Sequence, residues 1–273
     1  MNAAPGVTHV AAAAAFDHVA HSYDELFTYT AIGRAQREQV WRKLLEVFAA
    51  GSRILELNCG TGEDARFLAK NGRSVVACDA SAMMIEVATR RAVGVEAGAK
   101  VEYLQIANER LNVLSEQKPF DGAFSNFSGL NCVADLKPVA EGLATRVRLG
   151  GRVLLCIWSR RCVAEALWYL FHWEPAKAMR RLARRSSARI GYKDIPVYYH
   201  SIREVQRLFE PWFRLTSKRA VGLFVPPSYV ERAISKREKT LARLEWLDRR
   251  CAHWPILRDA GDHVLLEFVR CKP

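Results

Sequence analysis

The sequence contains no uninterrupted apolar run of about 18 residues, so a membrane-spanning helix is not expected. Residues 1–15 lack the basic start and the long Leu/Val/Ile stretch of a secretory signal. The seven cysteines are odd in number and form no C-x-x-C pair, and several lie in apolar runs typical of buried strands. These absences predict a cytoplasmic protein with free thiols, no disulfide framework and no metal.

Positive charge is unevenly distributed along the chain. The 41 Lys and Arg outnumber the 29 Asp and Glu, which gives a formal net charge of +12. Much of the surplus falls in two segments, 180–189 and 236–250. A basic surface attracts nucleic acid, anionic membranes or acidic ligands, so peripheral membrane contact stays open. A charged, solvated helix face is the simpler interpretation of residues 180–189, and nucleic acid is not the expected partner.

Short apolar segments alternate with helical ones from residue 53 onward. Strands that alternate with helices form a parallel sheet covered on both faces. Two later segments, 213–224 and 263–270, are expected to add an antiparallel edge. The predicted fold class is therefore α/β, a Rossmann-like three-layer sandwich with a mostly parallel seven-stranded sheet, an antiparallel edge strand and helical insertions. The first five strands are predicted at 53–57, 74–78, 101–104, 120–124 and 152–158.

The same pattern divides the chain into four predicted stretches. A helical lid comes first and the Rossmann-like cofactor-binding core follows. A helical insertion then forms a substrate cap, and the remainder of the core contains a second helical insertion, 226–255. The corresponding boundaries are 1–50, 51–160, 161–200 and 201–273.

A glycine-containing loop lies between the first predicted strand and the following helix. Residues 54–65, Ile-Leu-Glu-Leu-Asn-Cys-Gly-Thr-Gly-Glu-Asp-Ala, match G-x-G-x-x-A in the strand–turn–helix context of a dinucleotide fingerprint. Asp79 follows about 20 residues later, at the end of the second strand, where it can accept hydrogen bonds from ribose hydroxyls. NAD and S-adenosylmethionine both satisfy this geometry.

Acidic residues around the loop discriminate between these two cofactors. Glu56 precedes the glycines, and Glu63 and Asp64 follow them on the first helical turn. A pyrophosphate binds at bare N–H groups of a helix N-terminus, and two like charges about 4 Å apart repel by roughly 4 kcal/mol at an effective dielectric constant of about 20. The cationic ammonium and sulfonium of S-adenosylmethionine are favoured instead.

These acidic residues also have simpler interpretations. Glu63 and Asp64 would complement the helix dipole. Thr61 and Asp64 would then form a capping box. Glu56 has no such interpretation, because a carboxylate inside an apolar strand needs a partner.

Several segments resemble motifs of the class I S-adenosylmethionine-dependent methyltransferases, the Rossmann-like group. Residues 16–24 resemble the N-terminal segment of small-molecule methyltransferases such as those of quinone biosynthesis. The likeness covers about residues 16–158 and the last two strands. It implies methyl transfer from S-adenosylmethionine to a small-molecule acceptor, with S-adenosylhomocysteine as product. The family's first, second, fourth-strand and fifth-strand motifs are matched by residues 56–62, 78–85, 120–126 and 149–155.

The resemblance also assigns cofactor contacts. Glu56, Asn58 and Gly60 would line the methionine end of the cofactor, and Asp79 would hold the ribose. The full predicted cofactor-binding set is Tyr23, Glu56, Asn58, Cys59, Gly60, Asp79, Ala80, Ser81, Met84, Ala107, Asn108, Asn126 and Phe127.

Within that set, the resemblance implies further roles. Ala80 and Met84 would lie beside the adenine. Tyr23 would belong to a lid that closes over the cofactor. Asn126 and Phe127 would sit where the fourth strand ends, near the reactive methyl group.

Two positions depart from the family pattern. Asn58 stands where relatives usually have glycine, so either its side chain contacts the cofactor or it occupies a left-handed turn, which asparagine tolerates. Ile106 stands where many relatives have an aspartate that binds the adenine amino group. Asn108, Glu109 or the backbone of Ala107 would serve instead.

Methyl transfer needs little chemistry from the protein beyond proximity and orientation, and a single base suffices to deprotonate the acceptor. His200, which follows two tyrosines, is the preferred base. The aromatic stretch 168–173 lies where this family often inserts a substrate cap and favours a hydrophobic or aromatic acceptor; its rings otherwise simply pack the insertion onto the core. The candidate bases are His18, His21, His172, His200 and His263.

Two other functions stay open at this point. An RNA-directed methyltransferase or RNA-binding protein fits the charge, but residues 125–128, Ser-Asn-Phe-Ser, differ from the Asn-Pro-Pro-Tyr type of motif used in base-amino methylation. A protein that binds S-adenosylmethionine without methylating anything fits every motif, because a fold does not fix a function.

Overall fold

The computed structural model describes residues 5–92, 100–114, 118–234 and 236–273, so residues 1–4 of the predicted lid lie outside it. The helices are α1 Pro5–Val19, α2 Ala31–Val47, α3 Glu63–Lys70, α4 Ala82–Ala92, α5 Lys137–Arg146, α6 Val163–Phe171, α7 Pro175–Ala178, α8 Ile202–Phe209, α9 Glu231–Ile234 and α10 Glu238–Cys251. The strands are β1 Arg53–Leu57, β2 Ser74–Asp79, β3 Val101–Gln105, β4 Phe120–Ser125, β5 Val147–Trp158, β6 Arg185–Ile190, β7 Lys193–Tyr198, β8 Phe213–Val221 and β9 His263–Arg270.

Seven strands form one sheet in the order β3-β2-β1-β4-β5-β9-β8. The first five strands pair in parallel, whereas β9 runs antiparallel to both of its neighbours, β5 and β8. The predicted fold class is confirmed. The antiparallel strand was expected at the edge of the sheet. Instead, β9 lies between β5 and β8, and β8 is the outermost strand on that side.

Alternate residues of the central strands face opposite sides of this sheet, as the pleat requires. In β1, Leu55 packs into an apolar cluster with Leu143 of α5. Its neighbour Ile54 packs into a second cluster with Leu44 of α2 and Leu68 of α3. Helices therefore cover both faces and hold the strand ends in place.

The predicted helical insertion, 161–200, is helical only in its first part. β6 and β7 form an antiparallel hairpin with a tight turn at Gly191, whose φ is 58°. Arg and Ala favour helix, but Ile195 and Val197 alternate on the inner face of the hairpin and pack against Ala12 of α1. This tertiary packing overrides the local propensity, and it fixes the position of α1.

The strand order reverses direction between β1 and β4. From β1 the chain proceeds to β2 and β3 on one side, and β4 and β5 follow on the other. A crevice forms outside the carboxyl ends of the strands at such a switch point and is the usual ligand site of open α/β sheets. In the described part of the chain, no helix is both long enough and apolar enough to cross a membrane.

Candidate functional site

A cleft opens at this switch point, and the space between its walls, counted out into open solvent, is about 840 Å³. The loops after β1, β2 and β4 form its floor, and one face of α1 forms a wall. Ten residues of the predicted cofactor-binding set line it: Tyr23, Asn58, Cys59, Gly60, Asp79, Ala80, Met84, Asn108, Asn126 and Phe127.

The structure places the other predicted residues outside the lining. Glu56 is buried behind the loop with 1% exposure. Ser81 is buried, and its hydroxyl donates to Asp17. Ala107 borders a separate depression on the protein surface. These three residues do not border the cleft themselves, and each can affect a ligand there only by holding a residue that does.

His200, the preferred base, is not brought into the cleft. Its Nε2 lies 2.9 Å from the carbonyl oxygen of Val133, and only 6% of the residue is exposed. Burial lowers the pKa of His200, against the opposing effect of backbone hydrogen bonds to Val133 and Leu130. His200 thus supports the wall behind Val133, and its catalytic role stays a prediction without a structural contact.

The cleft also contains residues that the sequence did not single out. α1 contributes Phe16, and α2 contributes a buried arginine, Arg37. Nothing in local spacing separates Arg37 from the other charged residues of an amphipathic helix, because arginine is usually exposed. The lining residues outside the predicted set are Ala12, Ala13, Phe16, Arg37, Thr61, Glu63, Asp64, Glu109, Gly129, Cys132 and Val133.

Of the two interpretations of Asn58, the structure shows the left-handed turn, and contact between Asn58 and the cofactor stays a prediction. Its φ is 48°, the left-handed conformation, and its side chain borders the cleft. Nδ2 donates to the carbonyl oxygen of Asn126 at 2.8 Å, and Oδ1 accepts from the hydroxyl of Ser125 at 2.6 Å. Asn58 therefore fastens the loop after β1 to the end of β4.

The backbone after β4 is strained. Phe127 and Ser128 have φ values of 43° and 64°, both left-handed, although neither is a residue type that favours this region. Such conformations cost about 1–3 kcal/mol each and cluster at functional sites. The strain turns the Phe127 ring into the cleft, where the Arg37 guanidinium lies 4.8 Å from its centroid.

Asp79 ends β2 with both carboxylate oxygens engaged by backbone. Oδ2 accepts from the N–H of Gly60 at 2.9 Å, and Oδ1 accepts from the N–H of Ser81 at 2.9 Å. Burial raises the pKa of Asp79, and these two hydrogen bonds oppose that effect. Each carboxylate oxygen keeps a further lone pair, so Asp79 can still accept hydrogen bonds from a ligand hydroxyl.

Arg37 and Asp64 form a buried ion pair in the cleft wall. Arg37 Nη1 donates to Asp64 Oδ1 at 2.6 Å, and Trp41 Nε1 donates to the same oxygen at 2.6 Å. Asn126 Nδ2 donates to Asp64 Oδ2 at 2.9 Å. Burial alone would lower the pKa of Arg37, but the Asp64 carboxylate raises it above its ordinary value. Within the described residues, Arg37 Nε has no hydrogen-bond partner.

The capping box expected at the start of α3 is absent from the described structure. Thr61 instead donates its hydroxyl to Asp24 at 2.7 Å, and the helix begins after Gly62 with no side-chain cap. Asp64 is drawn inward because Arg37 and Trp41 bind it from α2. The acidic turn therefore serves the cleft as well as the helix dipole.

Acidic side chains outnumber basic ones in the lining of the cleft. Four carboxylates line it, those of Glu63, Asp64, Asp79 and Glu109, against the single guanidinium of Arg37 among the described lining residues. Two arginines outside the lining, Arg66 and Arg91, pair with Glu63. Glu56 lies behind them, and burial raises its pKa well above the ordinary value, helped by the charges of Asp64 and Asp79 and opposed by Arg37. No partner in the described structure reaches Glu56 Oε2. The cleft suits a cationic ligand.

The raised pKa of Glu56 predicts an unusual pH dependence. Between the ordinary glutamate pKa and the folded one, the native carboxyl keeps a proton that the unfolded chain has already lost, so stability should fall as pH rises through this window. The amide of Glu56→Gln does not titrate in this window, so the substitution should flatten the dependence of stability on pH. Urea unfolding at a series of pH values measures the effect. Glu63→Gln is the control, and an unchanged profile in Glu56→Gln would contradict the assignment.

A glycine loop after β1, an acid at the end of β2 and a cleft at the switch point together define a protein that binds an adenosine-containing cofactor. The profile of the methyltransferase domain family matches residues 54–151. A demethylmenaquinone methyltransferase of Mycobacterium sp. (strain KMS) is 32% identical over 177 residues, which cover 63% of this chain and 70% of that protein. The chain belongs to the class I S-adenosylmethionine-dependent methyltransferases.

Two further comparisons give the extent of the likeness. A demethylmenaquinone methyltransferase of Clavibacter sepedonicus is 32% identical over 146 residues, 54% of this chain, so the chain spans only 57% of that relative's length. A solved S-adenosylmethionine-dependent methyltransferase of Methanosarcina mazei has a TM-score of 0.59 at 14% identity, covering 85% of this chain and 98% of that one. At that identity the structural likeness shows the fold.

Proposed function

We propose that this protein transfers a methyl group from S-adenosylmethionine to a hydrophobic, aromatic small molecule. One observation carries the proposal: carboxylates outnumber guanidinium groups four to one among the described residues that line a cleft at the switch point of a methyltransferase fold. Three of the four carboxylates remain when Glu63, which pairs with Arg66 and Arg91, is set aside. Such a cleft repels the pyrophosphate of NAD and attracts a sulfonium and an ammonium. It equally repels an RNA backbone, which disfavours the RNA-directed alternative.

The lining residues fit this cofactor. Asp79 would hold the ribose hydroxyls, and Ala80 and Met84 would flank the adenine. Arg37, whose buried Nε is without a partner among the described residues, would bind the methionine carboxylate. Asp64 would then attract the ammonium. When bound, the cofactor supplies a methyl group made electrophilic by its sulfonium.

The acceptor would occupy the apolar end of the cleft. Phe127 and Val133 are apolar residues of the lining that would face it. Phe16 and Tyr23, an edge-to-face pair with ring centroids 6.3 Å apart, pack against Met84 and would lie nearer the adenine. The names of the two bacterial relatives point to a quinone-type acceptor such as demethylmenaquinone. The chain's part in the reaction is to exclude water and to align the acceptor.

The thiols in the cleft are not suited to nucleophilic roles. Burial raises the pKa of Cys59 well above its ordinary value and that of Cys132 to about 12. Both therefore stay protonated near neutral pH, where a thiol is a poor nucleophile. We propose the cytoplasm as the place of action, since a reducing compartment keeps such thiols free.

Calorimetry tests the cofactor assignment, and product analysis tests the reaction. We expect S-adenosylmethionine and S-adenosylhomocysteine to bind with micromolar affinity and NAD(H) not to bind. Incubation with labelled S-adenosylmethionine and demethylmenaquinone-type acceptors should then give a methylated product. Binding of NAD(H) alone would refute the charge argument. Tight binding of S-adenosylmethionine without methylation of any acceptor would support the non-methylating alternative.

A further inference from the structure

Many of the large hydrophobic side chains that the described chain exposes lie in one 30-residue stretch. Eight of the sixteen exposed large hydrophobic residues in the described chain fall between positions 163 and 192. Four of them follow helical spacing along α6, and Trp173, two residues after the helix ends, is 92% exposed. We call this surface the α6 apolar face; it consists of Val163, Leu167, Leu170, Phe171 and Trp173.

The opposite side of α6 is fully engaged with the protein. Trp168 packs against an apolar cluster formed with α2, and Tyr169 stacks on Tyr229 with ring centroids 5.6 Å apart. Glu165 is 1% exposed and binds Arg181 through a 2.5 Å contact. α6 is therefore held firmly with its apolar face outward, and Phe171 is 84% exposed there.

The segment of the chain that contains this face is rich in basic residues. Residues 160–203 contain ten Lys and Arg against three Asp and Glu. One of those three acids, Glu165, is buried and pairs with Arg180 and with the buried Arg181. Arg184 and Arg189 expose 79% and 66% of their side chains, although each also makes a solvent-exposed ion pair, with Glu204 and Asp194 respectively. An exposed apolar helix face beside basic residues is the arrangement of interfacial helices on anionic lipid.

We infer that the α6 apolar face docks on the surface of an anionic lipid bilayer. Phe171 and Trp173 would enter the boundary between headgroups and acyl chains, while the arginines meet lipid phosphates. A second copy of the chain is the less suitable occupant, because a two-fold contact would bring two basic segments face to face. α6 begins soon after β5 ends at Trp158, so the docked face lies at the same edge of the sheet as the cleft.

Vesicle sedimentation of the full chain tests this inference. We expect binding to vesicles of equal parts phosphatidylglycerol and phosphatidylcholine, and little to phosphatidylcholine alone. Phe171→Ser combined with Trp173→Ser should weaken binding about tenfold or more, because the buried aromatic area is lost. Arg184→Gln combined with Arg189→Gln should weaken it by about fivefold for each arginine. Added salt should weaken it as well.

The matched control is Leu149→Ser. Leu149 is 55% exposed but lies near the opposite end of β5 from α6, so its loss should leave vesicle binding unchanged. Thermal unfolding confirms that each variant folds. The inference fails if the wild type stays in solution with anionic vesicles or if both vesicle types bind it equally. It also fails if Leu149→Ser weakens vesicle binding as much as Phe171→Ser/Trp173→Ser does.

Light scattering measures the oligomeric state and so tests whether a second copy of the chain covers the face instead of lipid. A dimer that the Phe171→Ser/Trp173→Ser variant converts to a monomer, without vesicle binding, would assign the face to a second copy and overturn the inference. None of these measurements uses cofactor or acceptor. Their outcome is therefore independent of whether the chain methylates a quinone-type molecule.

Discussion

Asp79→Ala should lower the affinity for S-adenosylmethionine by roughly 100- to 10,000-fold. A hydrogen bond to a charged group contributes about 1.5–3 kcal/mol, and the carboxylate is placed to accept two from the ribose. The substitution also removes the acceptor of the Gly60 and Ser81 N–H groups, which loosens the glycine loop itself. Calorimetric titration of the wild type and the variant measures the ratio.

Asp17→Ala is the matched control for that experiment. Asp17 accepts from the Ser81 hydroxyl at 2.6 Å and from the Met83 N–H at 3.1 Å, close to Asp79 but outside the lining of the cleft. Its loss should cost about 0.5–2 kcal/mol of stability, as the loss of a helix cap does, and leave the affinity nearly unchanged. Equal affinity losses in the two variants would mean that Asp79 acts through the fold and not on the ligand.

Arg37→Met should destabilise the protein by about 3–5 kcal/mol, because it leaves the Asp64 carboxylate buried without its cation. It should also weaken S-adenosylmethionine binding, since the cleft loses the only guanidinium among its described lining residues. Urea unfolding gives the first quantity and calorimetry gives the second. Unchanged stability would show that Asp64 finds compensation elsewhere.

The double variant Arg37→Met/Asp64→Asn separates the two effects. It removes both charges, and the amide oxygen can still accept from Trp41, but Asn126 loses its acceptor. Stability should recover in part, whereas affinity should not. If affinity recovered together with stability, Arg37 would serve only to neutralise Asp64, and its proposed contact with the methionine carboxylate would be wrong.

The cofactor end of the site could be predicted because its chemistry is local. Residues 54–65 bring a strand, a turn and a helix together within one short segment, and Asp79 follows at the distance set by the next strand. Such features can be recognised from neighbouring residues in the sequence. The sheet could be predicted in the same way, from short apolar segments that alternate with helical ones.

The remaining parts of the site depend on contacts between distant segments. Arg37 becomes a cleft residue only because Asp64 lies opposite it, and Phe16 only because the β6–β7 hairpin holds α1 over the cleft. The hairpin was predicted as helix because its arginines and alanine favour that state. The sequence feature that indicates a strand here is the alternation of apolar residues soon after Gly191, at Ile195, Val197 and Tyr199, which are all buried in the structure.

Asn58 has one more consequence. Its backbone belongs to the loop that would hold the cofactor, and its amide holds the residues after β4 that would face the acceptor. When two ligands contact segments that one residue joins, the binding of one is expected to change the affinity for the other. By reciprocity, the factor by which bound cofactor strengthens acceptor binding equals the factor by which bound acceptor strengthens cofactor binding. Titrating either ligand alone would then measure a different affinity from the one that operates when both are present.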